Sequence, residues 1–154
     1  MDLLYDLLLI LLILLIFVLL ALNLRKRLLL SWKEVSAKEI VFHRLLRSCI
    51  VLFYAQKEEL KNDDNRLQFV RLGRSRKKKM RFLLLKERQE LYLALSDIFN
   101  EIEEREDTVF EGLEKEFDKL QKARRIYNSK VLVYNQALSI FPNRFLAMRM
   151  GLKI

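Results

Sequence analysis

The sequence predicts an all-α protein: an N-terminal transmembrane helix that continues into an antiparallel three-helix, up-down-up cytoplasmic bundle of long helices. Three observations carry that expectation. The 154 residues include three glycines and one proline, too little punctuation for a sheet protein, and the 52% hydrophobic content is dominated by leucine. The run Leu7 to Leu22, LLLILLILLIFVLLAL, has no polar side chain. Beyond it, apolar residues recur at steps of three and four. The length allows one domain, or an anchor plus one small domain. The expected division is an anchor at 1–24 and a bundle at 25–154, with a basic loop at 62–81 and a basic, apolar tail at 143–154.

Extending the first run to Leu3 and Leu24 admits only Asp6 and Asn23. At 1.5 Å per residue it reaches roughly 33 Å, enough for a bilayer core, so a lipid bilayer is the expected partner of this helix. A cleaved signal peptide would need a basic start, where Asp2 and Asp6 stand, and a cleavage site with small residues, which is missing. A buried core helix of a soluble protein ranks below both readings. Arg25, Lys26 and Arg27 follow the run and only the terminal amine precedes it, so the positive-inside rule puts the N-terminus outside and the rest in the cytoplasm. All 29 Lys and Arg come after residue 24, with 18 of the 20 acids, leaving about +11 on that part. The single cysteine, Cys49, cannot form an internal disulfide and reads as a small core residue in a reducing compartment.

The first helix is expected to leave the membrane unbroken, with Leu28, Trp32, Val35, Phe42, Leu46, Cys49 and Phe53 along one face and Glu39 interrupting it. Asn62 to Asn65, NDDN, is the first stop signal and Gly73 the second, with RLQFVRL between them as a short helix or a ragged continuation. A second helix is expected over about 76–105, its inner face made by Met80, Leu84, Leu91, Leu95, Ile98 and Ile102. Thr108 followed by Glu111 is a capping box and starts the third. There the seam Phe110, Leu113, Phe117, Leu120, Arg124, Tyr127, Val131, Tyr134, Leu138, Phe141 is the clearest pattern in the chain, apolar or aromatic except at Arg124. Pro142 ends it, and the tail NRFLAMRMGLKI leaves room for a short extra helix. In the up-down-up arrangement the acids of Asp97 to Asp118 lie beside the start of the first helix, and Arg144, Arg149 and Lys153 fall at the far end with the basic loop.

Ala123, Arg124, Tyr127, Asn128, Val131, Tyr134, Asn135, Leu138, Phe141 and Pro142 resemble the C-terminal pattern A-R-x-x-Y-N-x-x-V-x-x-Y-N-x-x-I-x-x-F-P of the LemA family, membrane-anchored bacterial proteins. Leu24-Arg25, Trp32, Val35 and His43 are similar to the segment after that family's anchor, whereas SAKEIVFHRLLRSCI departs from it. The resemblance implies a bacterial plasma-membrane protein with a cytoplasmic helical bundle. It implies no catalytic residues.

His43, the only histidine, lies six residues from Cys49, so the two do not share a helix face and make no nucleophile pair. One histidine cannot furnish a zinc or di-iron site, and no glycine-rich phosphate loop exists, so no cofactor and no metal are expected. The acids around residues 97–118 lack calcium-loop spacing and read as a solvated surface. Arg71, Arg74, Arg76, Lys77, Lys78, Lys79 and Arg81 place seven cations in eleven residues, a candidate patch for anionic lipid, for nucleic acid or another polyanion, or for an acidic partner, beside the plainer reading of a solubilising loop. Tyr127 and Tyr134 belong to the seam. Asn128 and Asn135 flank it, and their amides are expected to bond across to another helix, with a ligand groove as the alternative. The function expected from all this is non-enzymatic: a single-pass membrane protein presenting a helical bundle to an unidentified protein partner or to further copies of itself. The alternative is a membrane tether for RNA or another polyanion through 71–81.

Overall fold

The computed structural model describes residues 2–60, 65–103 and 111–152. Every regular element among them is helical: α1 (Asp2–Ala55), α2 (Lys57–Leu60), α3 (Arg66–Arg76), α4 (Leu85–Glu103), α5 (Glu111–Ser139) and α6 (Asn143–Arg149), with a 3-10 turn at Met80–Phe82. Thr108 of the capping box and the side chain of its Glu111, seam residue Phe110, Asn62 to Asp64, the carboxylates Glu104, Glu106 and Asp107, the side chain of Arg81, and Lys153 lie outside the described residues. The chain divides into two compact units, Met1–Ala37 with Asn128–Ile154, and Lys38–Tyr127.

The first part of α1 is long and apolar enough to cross a membrane, and none of its most apolar window is buried by protein. That exposure removes the core-helix reading, because a core helix hides its apolar face.

Within Lys38–Tyr127 the helices differ from the sequence expectation in number and in direction. α1 stops at Ala55, before NDDN; the chain turns at Gln56, whose carbonyl accepts from the backbone N–H groups of Glu59 and Leu60 at 3.1 Å each as α2 begins. Asn65 is buried, and its Nδ2 donates to the Leu60 carbonyl and to Glu101 Oε2, both at 2.9 Å, so one amide closes α2 and ties it to α4. RLQFVRL is wholly helical and α3 runs straight through Gly73. Glycine stands there because a Cβ would lie 2.9 Å from Cε2 of the Tyr54 ring, so the residue marks a close approach and not a stop. Much of the expected basic loop is therefore helix.

The next helix begins at Leu85, about two turns later than expected. Glu87 explains the position: its Oε2 accepts from the Leu84 backbone N–H at 2.8 Å, the reach-back half of a capping box without a Ser or Thr partner. Leu84 consequently sits at the helix entry and is exposed, while Met80 and Leu83 enter the core from the turn before it.

Because α3 is an extra pass, α5 returns antiparallel to α1 and the up-down-up order is corrected. Phe53 faces Phe117 at 6.2 Å, and Phe42 stacks on Tyr127 at 6.0 Å, so rising numbers on α5 meet falling numbers on α1. Cys49 Sγ donates to the Glu116 carbonyl at 3.4 Å. The start of α5 thus packs against the stretch around Cys49. The core centres on Phe117, fully buried and surrounded by Phe53, Tyr92 at 6.2 Å and Phe99 at 4.4 Å. These rings bury large apolar areas at favourable separations, the main driving term for this unit.

In the other unit the same antiparallel relation holds. Trp32 meets Tyr134 at 5.7 Å, and Lys130 Nζ pairs with Glu34 Oε1 at 2.7 Å. Leu28, Val35, Tyr134, Leu138 and Ala147 are buried. The seam ends earlier than expected: α5 closes at Ser139, and Phe141 is 83% exposed. Pro142 precedes α6, where Asn143 Nδ2 donates to the Ala137 carbonyl at 3.0 Å and folds the tail back. α6 lies beside Val18, Ala21, Leu22, Arg25 and Leu29 of α1. Arg149 shares a pocket lining with the end of the apolar run, and the tail falls in a different compact unit from the cations of 71–79, a correction to the expected basic cap.

Candidate functional site

The main candidate is a groove of about 730 Å³ between the end of α1 and α3. Tyr54, Phe69, Val70 and Gly73 form its apolar wall, and Lys57, Arg66, Arg74, Lys77 and Lys78 rim it. The local sequence explains the arrangement. Phe69 and Leu72 are buried on the inner side of α3, so Arg71, Arg74 and Arg76 are left exposed by helical spacing, and Lys77, Lys78 and Lys79 follow on the exposed turn. Two cations are partly neutralised, Lys57 by Glu58 at 3.1 Å and Lys78 by Glu87 at 3.6 Å. Both pairs are largely exposed and leave the rim strongly positive. Arg76 lies over the Tyr54 ring at 4.7 Å and Lys57 at 5.4 Å, so the ring serves as a platform for the protein's own cations. Sequence reasoning located the cations of 71–79 but missed Tyr54, Lys57 and Arg66, which only folding brings alongside them.

A second polar cluster joins α1 to α4. Arg88 Nη1 donates to Glu39 Oε1 at 2.8 Å and to His43 Nε2, while Arg88 Nε donates to the Leu83 carbonyl at 3.0 Å. Glu39, which interrupts the apolar stripe of α1, is thereby accounted for. Burial, and then the Arg88 guanidinium, hold the His43 pKa below its ordinary value against the opposing pull of Glu39. Glu39 Oε1 lies 3.6 Å from His43 Nε2, but a neutral ring accepting from Arg88 fits the cluster better than an ion pair. Burial, and then Glu39, push the Tyr127 hydroxyl pKa up. With Arg88 bonded at once to Glu39 and His43 of α1 and to the Leu83 carbonyl, this cluster reads as a clamp between the two helices.

Arg124, the one charged seam residue, lies over the Tyr92 ring at 4.0 Å, so its position needs an aromatic partner on α4 and not an apolar one. Tyr134 is buried and its hydroxyl has no hydrogen-bond partner among the described residues; burial raises its pKa. Val131 is half-buried. Asn128 is exposed and Asn135 half-buried, and neither side chain forms a hydrogen bond among the described residues, so the expected cross-helix amide bonds are not found there. Cys49 is fully buried and its thiol pKa is pushed up to about 12 by burial and then by Glu116, the opposite of an activated nucleophile. Among the described residues no three His, Cys, Asp or Glu side chains gather as metal ligands.

Comparison with family models, curated proteins and solved structures brings no match to this chain. The reading of its function therefore rests on its own residues.

Proposed function

We propose that the chain is a single-pass membrane protein that presents a cytoplasmic helical bundle as a binding module, taking an acidic protein segment in the groove of α1 and α3, without catalysis. The observation that carries the anchor is the unburied apolar run of α1 joined to a folded remainder: residues of α6 line a pocket together with Val18, Ala21, Leu22, Arg25 and Leu29, which argues that this segment is retained and not cleaved as a signal. Arg25, Lys26 and Arg27 orient it with the C-terminal part inside. The pattern of Ala123 to Pro142 supports kinship with the LemA family and a bacterial plasma membrane as its place.

The groove supports binding because five cations rim one apolar wall. An acidic segment with apolar side chains satisfies both features. RNA or another polyanion is the second reading, favoured by the charge alone. It gains less from the wall, since Arg76, Lys57 and Gly73 already crowd the Tyr54 ring that a base would stack upon.

Labelling of a cysteine placed at residue 154 only after the membrane is permeabilised is the expected topology; labelling from outside intact cells overturns it. For the groove, full-length protein in detergent is titrated with polyglutamate and with polyuridine at several salt concentrations. Stronger, salt-dependent polyglutamate binding that falls when Arg74, Lys77 and Lys78 become glutamine is expected. Tighter polyuridine binding selects the second reading, and indifference to both salt and substitution removes the groove from either.

A further inference from the structure

The contact between α6 and the end of the apolar run has a chemistry of its own. A pocket of about 530 Å³ lies between them. Val18, Leu22, Leu146 and Met150 contribute apolar walls, and the guanidinium side chains of Arg25 and Arg149 are its charged groups. Neither arginine meets a carboxylate among the described residues, and Arg149 lies over the Phe145 ring at 5.6 Å. Both arginines line the same pocket, so an anion placed there can be attracted by the two cations together.

The depth of the pocket points to the source of the anion. Val18 belongs to the uninterrupted apolar run and Arg25 is the first cation after it, a rise of roughly 10 Å along the helix. That interval corresponds to the boundary between acyl chains and headgroups, into which amphipathic helices sink by about 5 to 10 Å. The surroundings of α6 fit the same boundary. Ala147 is buried on the protein side, whereas Ile140, Phe141, Phe145 and Met148 are 62%, 83%, 53% and 67% exposed. Such a concentration of exposed large apolar side chains is costly in water and is relieved by lipid.

We infer that α6 is an interfacial helix and that its pocket with α1 binds one anionic phospholipid. The phosphate sits between Arg25 and Arg149, and an acyl chain runs along Val18, Leu22 and Met150. A free phosphate would use the two arginines while leaving the apolar walls wet; a phospholipid occupies both. This site rests on the membrane-spanning reading of α1. It extends that reading by giving the C-terminal segment a membrane contact separate from the span.

The test uses the full chain. Native mass spectrometry after exposure to equal amounts of phosphatidylglycerol and phosphatidylcholine is expected to show preferential retention of one phosphatidylglycerol. Arg25→Gln and Arg149→Gln should each reduce that preference by roughly fivefold, as expected for a cation close to an anionic surface. Arg144→Gln, outside the pocket lining, should leave most of it. In phosphatidylcholine vesicles with and without phosphatidylglycerol, an environment-sensitive label on Met148→Cys should be quenched by spin-labelled acyl chains and shielded from aqueous iodide. The buried, high-pKa Cys49 leaves the new thiol to react first, and the unsubstituted chain serves as the labelling control. No preference for the anionic lipid, a preference unchanged in the double variant, or ready quenching by iodide overturns the inference. Release of the chain by an alkaline carbonate wash instead overturns the membrane-spanning reading itself, so the two failures are distinguishable. Unchanged helical circular dichroism in the variants excludes misfolding as the cause of lost lipid.

Discussion

Replacing Arg88 with methionine tests whether the cluster of Glu39, His43 and Arg88 clamps α1 to α4. The substitution keeps most of the apolar stem and removes the donations to Glu39 Oε1, His43 Nε2 and the Leu83 carbonyl. A hydrogen bond to a charged group contributes about 1.5 to 3 kcal/mol, and breaking a fully buried ion pair from one side costs about 3 to 5 kcal/mol. The Arg88 side chain is 16% exposed and that of Glu39 32%, so the stranded carboxylate regains some water. A loss of about 2 kcal/mol follows, toward the lower end of those ranges. His43 supplies an independent readout. Burial and Arg88 lower its pKa while Glu39 raises it, so removing Arg88 should move the pKa up. In the intact protein the folded pKa lies below the unfolded value of about 6.5, so the unfolded chain binds more protons between the two. The contribution of His43 to stability is therefore full above about pH 6.5 and is lost as pH falls from there through the folded pKa. Arg88→Met should narrow that decline. The chain has one histidine, so its imidazole NMR signals are unambiguous, and urea unfolding of the full chain in detergent can follow helical circular dichroism. A His43 pKa that stays or falls, or a stability change below about 0.5 kcal/mol, would refute the clamp.

Two further substitutions test the core and the seam. Phe117→Ala removes a fully buried ring that meets Phe53, Tyr92 and Phe99, and should cost about 3 to 5 kcal/mol in the same urea assay. A cost under about 1 kcal/mol would mean that this ring is not central to the core. Arg124→Leu completes the apolar stripe and would stabilise the protein if periodicity alone governed the seam. With the guanidinium 4.0 Å from the Tyr92 ring, it should instead destabilise by about 0.5 to 1 kcal/mol, and a gain would refute the cation–π account.

The helical class and the apolar N-terminal helix were legible because they depend on composition and short-range periodicity. Leu113, Phe117, Leu120, Tyr134 and Leu138 are buried as the seam predicts. Position along the chain was legible too for the exposed cations of 71–79. Misjudgements arose where a long-range partner reverses a local signal. Gly73 looks like a breaker until Tyr54 is seen to fill the place of its missing Cβ. Glu39 and Arg124 look like faults in apolar stripes until Arg88 and Tyr92 are opposite them. Glu87 was a readable sign that α4 starts at Leu85, but it was hidden by the absence of a Ser or Thr at Leu84.

By itself the sequence determined that the described regular elements are helices, that the first is apolar enough for a membrane, and where the positive charge concentrates. Those properties follow from side-chain volume, charge and spacing along one chain. Only the tertiary structure decided the direction of α5, the assembly of the groove from Tyr54, Lys57 and α3, and the return of α6 to Val18 and Arg25. One short additional pass, α3, reverses α4 and α5, and periodicity cannot register that reversal because an amphipathic stripe is the same whichever way its helix points.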